Sequence, residues 1–528
     1  MKNRSCLKIF TTILSMLACF GLLPQMQAGL PPEIPGNPDG CYPAFTTAEG
    51  CNALFLLGSG IGNTAIGWYS LFLVGDASFN TGVGAGALAL SSTGANNNTA
   101  VGTAAMLLNT TGTRNAAIGT DTLVYNDSGS FNDAVGAFAL FNNIDGSGNN
   151  AFGDSALGLN IHAIDNTAIG DSALVNNDNT GLGLANFNTA VGASALLFNT
   201  DGDSNTAVGF SALSSNTTGF WNTANGTDAL LHNDSGSYNN AVGVRALRNN
   251  IDGSDNNAFG HAALAENIHA SGNTAIGDLA LANNDVTGNN VASFNTGVGA
   301  AALNGNTDGV ANTAVGADAL IFNTSGSNNI ALGESAGSAL TTGDNNIDIG
   351  SPGSGGESGT IRIGTNFQTA TYIAGISGAT ASGGAAVFVD FNGKLGTMTS
   401  SARFKGEIKP MGKASEAILA LRPVSFRYNK EIDPKGIAEF GLIAEEVEKV
   451  DPDLVVRDKE GKPYAVRYEQ INAMLLNEFL KEHRTVQEQQ KEIDTLRNEL
   501  KEQRVLIQKV SAQVEMSNPA RQVVISNQ

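Results

Sequence analysis

Hydrophobic and polar positions follow one fixed repeating unit over most of the chain. The unit reads N-T-A-V/I-G-x-x-A-L-x-x-N-x-x-G-x-x, and its first glycines recur from Gly67 to Gly350. The constant large apolar positions are the branched residue before that glycine and the leucine five positions later, as in Val191 and Leu196, with small alanines beside both. We expect these two positions to form the core, and Asn and Gly to form turns, which need positive φ or side chains that bond the backbone. One unit cannot bury its apolar residues alone, but stacked units share a narrow core, so the pattern predicts a parallel β-solenoid or β-roll.

Irregular steps in the array indicate growth by duplication. Most steps equal the length of the unit, as from Gly119 to Gly136, but those that end at Gly192 and Gly299 are five residues longer. A block that begins NDSGSF at Asn126 recurs as NDSGSY from Asn233, and the copy includes the long step. At about 4.8 Å between stacked strands, the array predicts a rod on the order of 80 Å long. A disordered Gly/Asn-rich tract is the alternative, but disorder does not keep an apolar residue in a fixed place in each unit.

The pattern changes after the array. TIRIGT, TATYIAGI and AAVFVDFNGKLG predict short strands, the last with a turn at Asn392 and Gly393. From Phe479 to Val514 apolar residues recur every seven positions, with some glutamines on the companion seam. This heptad predicts a coiled coil and does not by itself choose between two and three strands. A single amphipathic helix that packs on its own domain is the alternative.

The predicted fold class is therefore mainly β, with a long parallel β-solenoid rod, a small α+β domain and a C-terminal α-helical coiled coil. The predicted segments are a signal peptide at 1–28, an N-terminal segment at 29–62, β-solenoid repeats at 63–350, a β connector at 351–399, a small domain at 400–478, a coiled coil at 479–515 and a tail at 516–528.

Charge limits the classes of partner. The net charge is −20, and no lysine occurs between Lys8 and Lys394. A nucleic-acid binder needs a basic patch to neutralise phosphates, so this class is excluded. The aspartates of the array show neither a calcium-binding nonapeptide pattern nor a fixed pair for glycan hydrolysis. We therefore expect no metal and no cofactor.

The N-terminus has the pattern of a secretory signal. Basic residues precede an apolar stretch at 9–23, and Ala28 precedes a suitable cleavage point. An uncleaved anchor is the alternative. Cleavage would leave Cys41 and Cys51, which we expect to form a disulfide in an oxidising compartment. The predicted mature chain is exported, extracellular or at the cell surface, and has no transmembrane anchor.

The NTAVG and NTAIG motifs resemble the head repeats of trimeric autotransporter adhesins, in which three chains each wind a β-roll. The units of that family are usually somewhat shorter than the unit of this chain. The resemblance implies a homotrimer, with itself as the main partner and an unknown surface or host ligand. An ice-binding face of aligned threonines is disfavoured because Ala116, Asp133, Asn150 and Ile330 interrupt that column.

The segment TSSARFK holds a candidate catalytic pair. A serine hydroxyl is a weak nucleophile until a base removes its proton. A lysine can be that base when burial lowers its pKa. Ser400 and Lys405 are five residues apart, which allows contact across a turn. Such spacing is common by chance, so the pair alone does not identify a peptidase.

Three motifs in order, SSARFKGEIKPM, ALRPVSFRYNKE and EFGLIAEEVEKVDPDL, resemble the intramolecular chaperone family of phage tail spikes and endosialidases, an autocleaving serine peptidase domain. The resemblance implies Ser400 as the nucleophile, Lys405 as the base and the bond between Thr399 and Ser400 as the cleavage site. Arg403 matches the arginine of the family. Ser401 stands where the family often has Asp, and it is a rival nucleophile.

The expected function is a secreted or cell-surface homotrimeric fibre, adhesin-like, whose C-terminal domain is an intramolecular trimerisation chaperone. This domain would then act as a single-turnover serine autoprotease and remove itself. The alternative is a phage-derived tail-fibre protein, structural or receptor-binding, with an uncleaved trimerising cap. Glu445 and Glu446 are interpreted as the solvated face of an amphipathic helix with Leu442, Ile443 and Val447 inward.

Overall fold

The computed structural model describes residues 45–517, except 93, 377–381, 391 and 459. The described residues form two compact units, which divide between Tyr372 and Ile373. The predicted signal peptide lies outside the described residues, and so do Cys41 and most of the predicted tail. The predicted disulfide therefore stays a prediction, and Cys51 is exposed.

The first unit is a parallel β-solenoid, as the repeat predicts. Among the described residues its sheet contains nineteen strands of three residues, and each strand pairs in parallel with the next along the chain. The register is unbroken, so equivalent residues of successive coils stack in columns. The strands, numbered β1 to β19, are Thr47–Glu49, Thr64–Ile66, Thr81–Val83, Thr99–Val101, Ala116–Ile118, Asp133–Val135, Asn150–Phe152, Thr167–Ile169, Thr189–Val191, Thr206–Val208, Thr223–Asn225, Asn240–Val242, Asn257–Phe259, Thr274–Ile276, Thr296–Val298, Thr313–Val315, Ile330–Leu332, Ile347–Ile349 and Ile361–Ile363.

The solenoid core consists of alanine and leucine columns. Leu123 is fully buried, as predicted for the leucine position, but the prediction for the branched residue is wrong: Ala117 is fully buried and Ile118 is 46% exposed. Successive side chains of a strand point to opposite faces, so a three-residue strand with its middle residue inward turns the third residue outward. The middle residue is Ala or Gly in β1 to β17, which indicates a core with room for little more than a methyl group there.

The backbone at the corners of each coil explains two constant residues of the repeat. Gly119, after β5, has φ +143°, and a Cβ there would lie 2.5 Å from the carbonyl oxygen of Gly136 in the next coil. Leu123 has φ 55°, a left-handed conformation that costs a non-glycine residue about 1–2 kcal/mol. Full burial of a leucine side chain returns about 1.5–3 kcal/mol, so leucine is retained at this strained corner.

Two columns of asparagine are buried inside the solenoid. In the first, Asn132 donates through Nδ2 to the Gly146 carbonyl at 2.9 Å and accepts from the backbone N–H of Asn149 at 3.0 Å. In the second, Asn143 donates to the side-chain oxygen of Asn126 at 2.7 Å and to the Gly146 carbonyl at 2.8 Å. The expectation that these side chains bond turn backbone is correct. Their complete burial means that they also join each coil to the next.

The second unit is small, and its described residues form three two-stranded antiparallel sheets, 3-10 segments and two helices. The predicted turn at Asn392 lies between the strands of the first hairpin, whereas TATYIAGI has no strand among its described residues. The elements are β20 Val387–Val389, β21 Leu395–Thr397, 3-10 segments Ala402–Phe404, Ala414–Ala420 and Pro452–Leu454, β22 Val424–Phe426, β23 Glu439–Gly441, α1 Ala444–Val450, β24 Val455–Arg457, β25 Pro463–Val466 and α2 Tyr468–Ser517.

Helix α2 is 50 residues long and contains the whole predicted coiled-coil segment. Met474 is its only buried residue in the single chain. Apolar residues at heptad positions, among them Phe479, Ile493 and Leu500, are exposed. The helix is confirmed, and its assembly into a coiled coil stays a prediction.

Candidate functional site

The predicted site lies in the turn that follows β21. Ser401 precedes the 3-10 segment Ala402–Phe404, and its carbonyl accepts from the N–H of Phe404 at 3.0 Å. The N–H of Lys405 donates to the Ala402 carbonyl at 3.1 Å and closes the turn. This single turn reverses the chain, so residues five apart in sequence become neighbours.

The turn brings Ser400 and Lys405 together. Nζ of Lys405 lies 3.3 Å from Oγ of Ser400, within hydrogen-bond distance. A base that is to take the hydroxyl proton must lie within such reach. Both residues are exposed in the single chain, as is Thr399, whose carbonyl would be attacked.

The two auxiliary residues have different surroundings. The side chain of Ser401 makes no capping hydrogen bond to the 3-10 segment. The guanidinium of Arg403 lies over the ring of Phe404, 4.6 Å from its centroid, in a cation–π contact. Arg403 therefore supports the turn. The structure pairs Lys405 with Ser400, and Ser401 remains the rival nucleophile that an experiment has to separate from it.

A second contact between serine and lysine was not visible in the sequence. Ser415 is fully buried; its hydroxyl donates to the carboxylate of Glu478 and accepts from Nδ2 of Asn477 at 2.6 Å. Nζ of Lys481 lies 3.4 Å from Ser415 Oγ and 2.7 Å from Glu478. The hydrogen bond to Glu478 raises the pKa of Lys481, so this lysine stays protonated and is no base. The network joins the segment Ala414–Ala420 to α2.

The acidic residues of α1 lie where the amphipathic pattern predicts. Val447 is buried, while the carboxylate of Glu446 accepts from Arg422 at 2.6 Å and 3.0 Å. The hydrogen bonds from Arg422 hold the pKa of Glu446 below its usual value. Glu446 is thus an ion-pair partner at the surface. Among the described residues, His, Cys, Asp and Glu form no group of three that could hold a metal ion.

Comparison with known proteins supports the chaperone resemblance. None of the helices within residues 45–517 is long and apolar enough to cross a membrane. No curated protein matches the chain. Residues 400–456 match the family model described as the chaperone of endosialidase, and the match begins at the candidate nucleophile. The C-terminal segment of this chain is thus similar to the chaperone of endosialidase, and the parallel β-solenoid before it is consistent with a tail-spike-like rod.

Proposed function

We propose that the chain is the subunit of an exported homotrimeric fibre. In this proposal, the solenoid is the durable rod, and the C-terminal unit is a chaperone that aligns three chains and then cleaves itself off before Ser400. The match to the chaperone of endosialidase and the parallel solenoid support the fibre class. The secretory pattern of the N-terminus supports export.

The observation that carries the proposal is an apolar column on the outside of the solenoid. The third residue of most strands is Val, Ile or Phe, and it faces outward. Exposed members of this column are Ile66, Val101, Ile118, Phe152, Ile169, Val242, Phe259, Ile276, Val315, Leu332, Ile349 and Ile363. The column repeats with the spacing of stacked strands, and another sheet of the same spacing matches it side chain by side chain. A second and third copy of this rod have that spacing.

The repeat itself creates the need for alignment. Because each coil resembles the next, two rods that pair one coil out of register lose little contact. The seam of α2 also carries glutamines among its apolar heptad positions, and polar residues on a seam set the register of a coiled coil. Association of three α2 helices would therefore fix the chain ends and set the register of the rods. Removal of the C-terminal unit would then trap the product kinetically.

The proposed cleavage uses only groups of this chain. Ser400 Oγ attacks the carbonyl carbon of Thr399, and Lys405 takes the hydroxyl proton. The bond from that carbon to the Ser400 nitrogen breaks, and the nitrogen takes up the proton as it leaves. The resulting ester is hydrolysed by water, which leaves a carboxylate on Thr399 and regenerates the serine hydroxyl. Each chain cuts once.

Exposure of the pair suggests when cleavage occurs. A lysine acts as a base only where its surroundings disfavour the charged form, and Lys405 is exposed in the single chain. We expect a neighbouring copy to cover this turn in the trimer. The same exposure favours the second candidate, an intact trimerising cap in which the pair is idle.

The test compares the wild-type chain with Ser400→Ala, Ser401→Ala and Lys405→Gln on denaturing gels. We expect the wild type and Ser401→Ala to release a fragment of residues 400–528, and the other two variants to stay intact. If all four chains stay intact while trimers form, the uncleaved cap is correct. If Ser401→Ala alone blocks the cut, the nucleophile is Ser401.

A further inference from the structure

Asp348 breaks the pattern of the solenoid core. It is the middle residue of β18, where β1 to β17 have Ala or Gly, and it is 1% exposed. Neither of its carboxylate oxygens accepts a hydrogen bond of ordinary distance and angle in the described part of the chain, although the Ser351 hydroxyl lies near enough to favour the charged form. Gly353 leaves room for this carboxylate, because a Cβ at that position would lie 2.8 Å from Oδ2. An ionised carboxylate in such a place loses its hydration without compensation.

Another buried aspartate of the solenoid, Asp178, shows how hydrogen bonds can compensate a buried carboxylate. The carboxylate of Asp178 accepts from three backbone N–H groups, those of His162 at 2.6 Å, Ala163 at 3.1 Å and Gly183 at 2.8 Å. These bonds hold the longer coil closed around the carboxylate. Asp348 has no such ring of donors, so its charge is not balanced in the same way.

Two charged side chains face Asp348. In the register of β18 and β19, Asp348 lies opposite Arg362. The guanidinium of Arg362 bonds instead to Glu357, through Nε at 2.8 Å and Nη2 at 2.7 Å. Two carboxylates thus compete for one guanidinium, and Asp348 is left without it. Both Glu357 and Arg362 belong to residues 351–363, the last coil of the solenoid, which closes over Asp348.

The protonation state of Asp348 follows from this setting. Burial raises its pKa to about 6 from an ordinary value of 3.8; the Glu357 carboxylate adds to the shift, and Arg362 and the Ser351 hydroxyl oppose it without cancelling it. A raised pKa means that the closed coil binds the proton more tightly than the open coil. Closure is therefore favoured in acid, and this stabilisation is lost as the pH rises from about 4 to about 6.

We propose that the last coil, residues 351–363, is a pH-dependent latch on the end of the rod. In acid the latch is closed over a neutral Asp348. At neutral pH the same coil covers an unpaired charge, so it opens for a larger fraction of the time. The chain passes from the rod toward β20 through this coil, and opening lengthens the connector that precedes the cleavage site.

Hydrogen exchange of the full-length chain tests the latch. The wild type is compared with Asp348→Asn and Asp348→Ala at about pH 4 and at neutral pH, always at equal pH so that intrinsic exchange rates cancel. Asp318→Asn, a change of an exposed aspartate two coils away, is the matched control. At neutral pH we expect residues 347–363 to exchange up to about 100-fold faster in the wild type and the control than in the two Asp348 variants, since two pKa units correspond to that factor. At about pH 4 all four should agree.

The location of the effect matters as much as its size. Exchange in β5 to β10 should not differ among the four proteins at either pH. Equal exchange of residues 347–363 in wild type and Asp348→Asn at neutral pH would overturn the proposal. So would a difference of the same size at both pH values, because it would not depend on the charge of Asp348.

Discussion

The solenoid and the C-terminal unit bury apolar surface in different ways. Every coil of the solenoid covers its Ala and Leu columns with the next coil, so the chain supplies its own partner along the rod. In the described part of the C-terminal unit the buried apolar residues are only Val447, Leu454, Val455 and Met474, and α2 leaves its heptad residues exposed. The difference teaches that the rod buries its core along its length by repetition, whereas the C-terminal unit leaves an apolar helix surface that the proposed trimer would bury.

The largest expected effect is the loss of a core leucine in the rod. Leu230→Ala should destabilise its coils by about 2–5 kcal/mol, because it removes a buried side chain and leaves a cavity. Hydrogen exchange of β10 to β12 measures this loss of stability. Leu231→Ala, at the partly exposed neighbouring position, is the control. An equal effect of both changes would contradict the assignment of the core.

In α2, exposed apolar residues at heptad positions should contribute to stability, although they are not buried in the single chain. Ile493→Ala and Leu500→Ala should weaken the C-terminal unit by about 1–3 kcal/mol each, because the proposed coiled coil would bury these exposed side chains against a neighbouring helix. Thermal unfolding at several protein concentrations checks this, and we expect the wild-type midpoint to rise with concentration. Lys491→Ala, on the side of the helix away from the heptad seam, should leave the midpoint unchanged. A midpoint independent of concentration in the wild type would mean that α2 has no partner helix.

Loss of an asparagine from a buried column should destabilise the rod nearly as much as loss of a core leucine. Asn216 donates to Asn199 at 2.8 Å and to the Gly219 carbonyl at 2.9 Å, and it accepts from Asn233 at 2.8 Å. Asn216→Ala leaves these buried groups unpaired, which costs about 1–3 kcal/mol. Asn225→Ala, on the exposed face of β11, should stay within about 0.5 kcal/mol of the wild type. Urea unfolding of the two variants measures the difference. Equal stability of Asn216→Ala and Asn225→Ala would show that the buried column does not stabilise the rod.

The smallest expected effect is a difference in the response to acid. Lys481 and the Ser415 hydroxyl hold the pKa of Glu478 below its usual value of 4.5. A lowered pKa gives stability that is present above pH 4.5 and is lost as the pH falls through the folded-state value. The C-terminal unit should therefore loosen in acid, under conditions in which the last coil of the solenoid tightens.

Hydrogen exchange of both regions in one sample measures this contrast. Glu478→Gln should remove the acid sensitivity of the contact between α2 and the segment Ala414–Ala420, and it should leave the solenoid unchanged. If acid slowed exchange in both regions, or sped it up in both, the result would contradict the two pKa shifts on which the contrast depends.

The architecture could be predicted from the sequence because the repeat specifies it. A unit of constant length specifies stacked coils, and the leucine position was correctly placed in the core. The heptad was read correctly as helix, and TSSARFK was recognised by its order among other motifs. The contact between Ser400 and Lys405 follows from one turn, so a local pattern was enough to propose it.

The repeat did not show which side chains of each strand point into the core. Hydrophobicity favours Ile118 over Ala117 as the core residue, but the narrow coil accepts only the methyl group. Polarity likewise favours surface positions for the asparagines, although their paired amides make burial possible. The contact of Ser415 with Glu478 joins residues 63 apart and leaves no local pattern. Asp348 interrupts the column of Ala and Gly in the sequence, but its importance depends on its burial, which the sequence does not show.

The molar mass of the full-length Ser400→Ala chain, measured by sedimentation equilibrium at micromolar concentration, tests most directly whether other copies cover the apolar column and the helix. We expect a mass of three chains, which persists on dilution. A single-chain mass for protein with a correctly folded solenoid would leave the whole column exposed to water and would contradict the trimeric fibre.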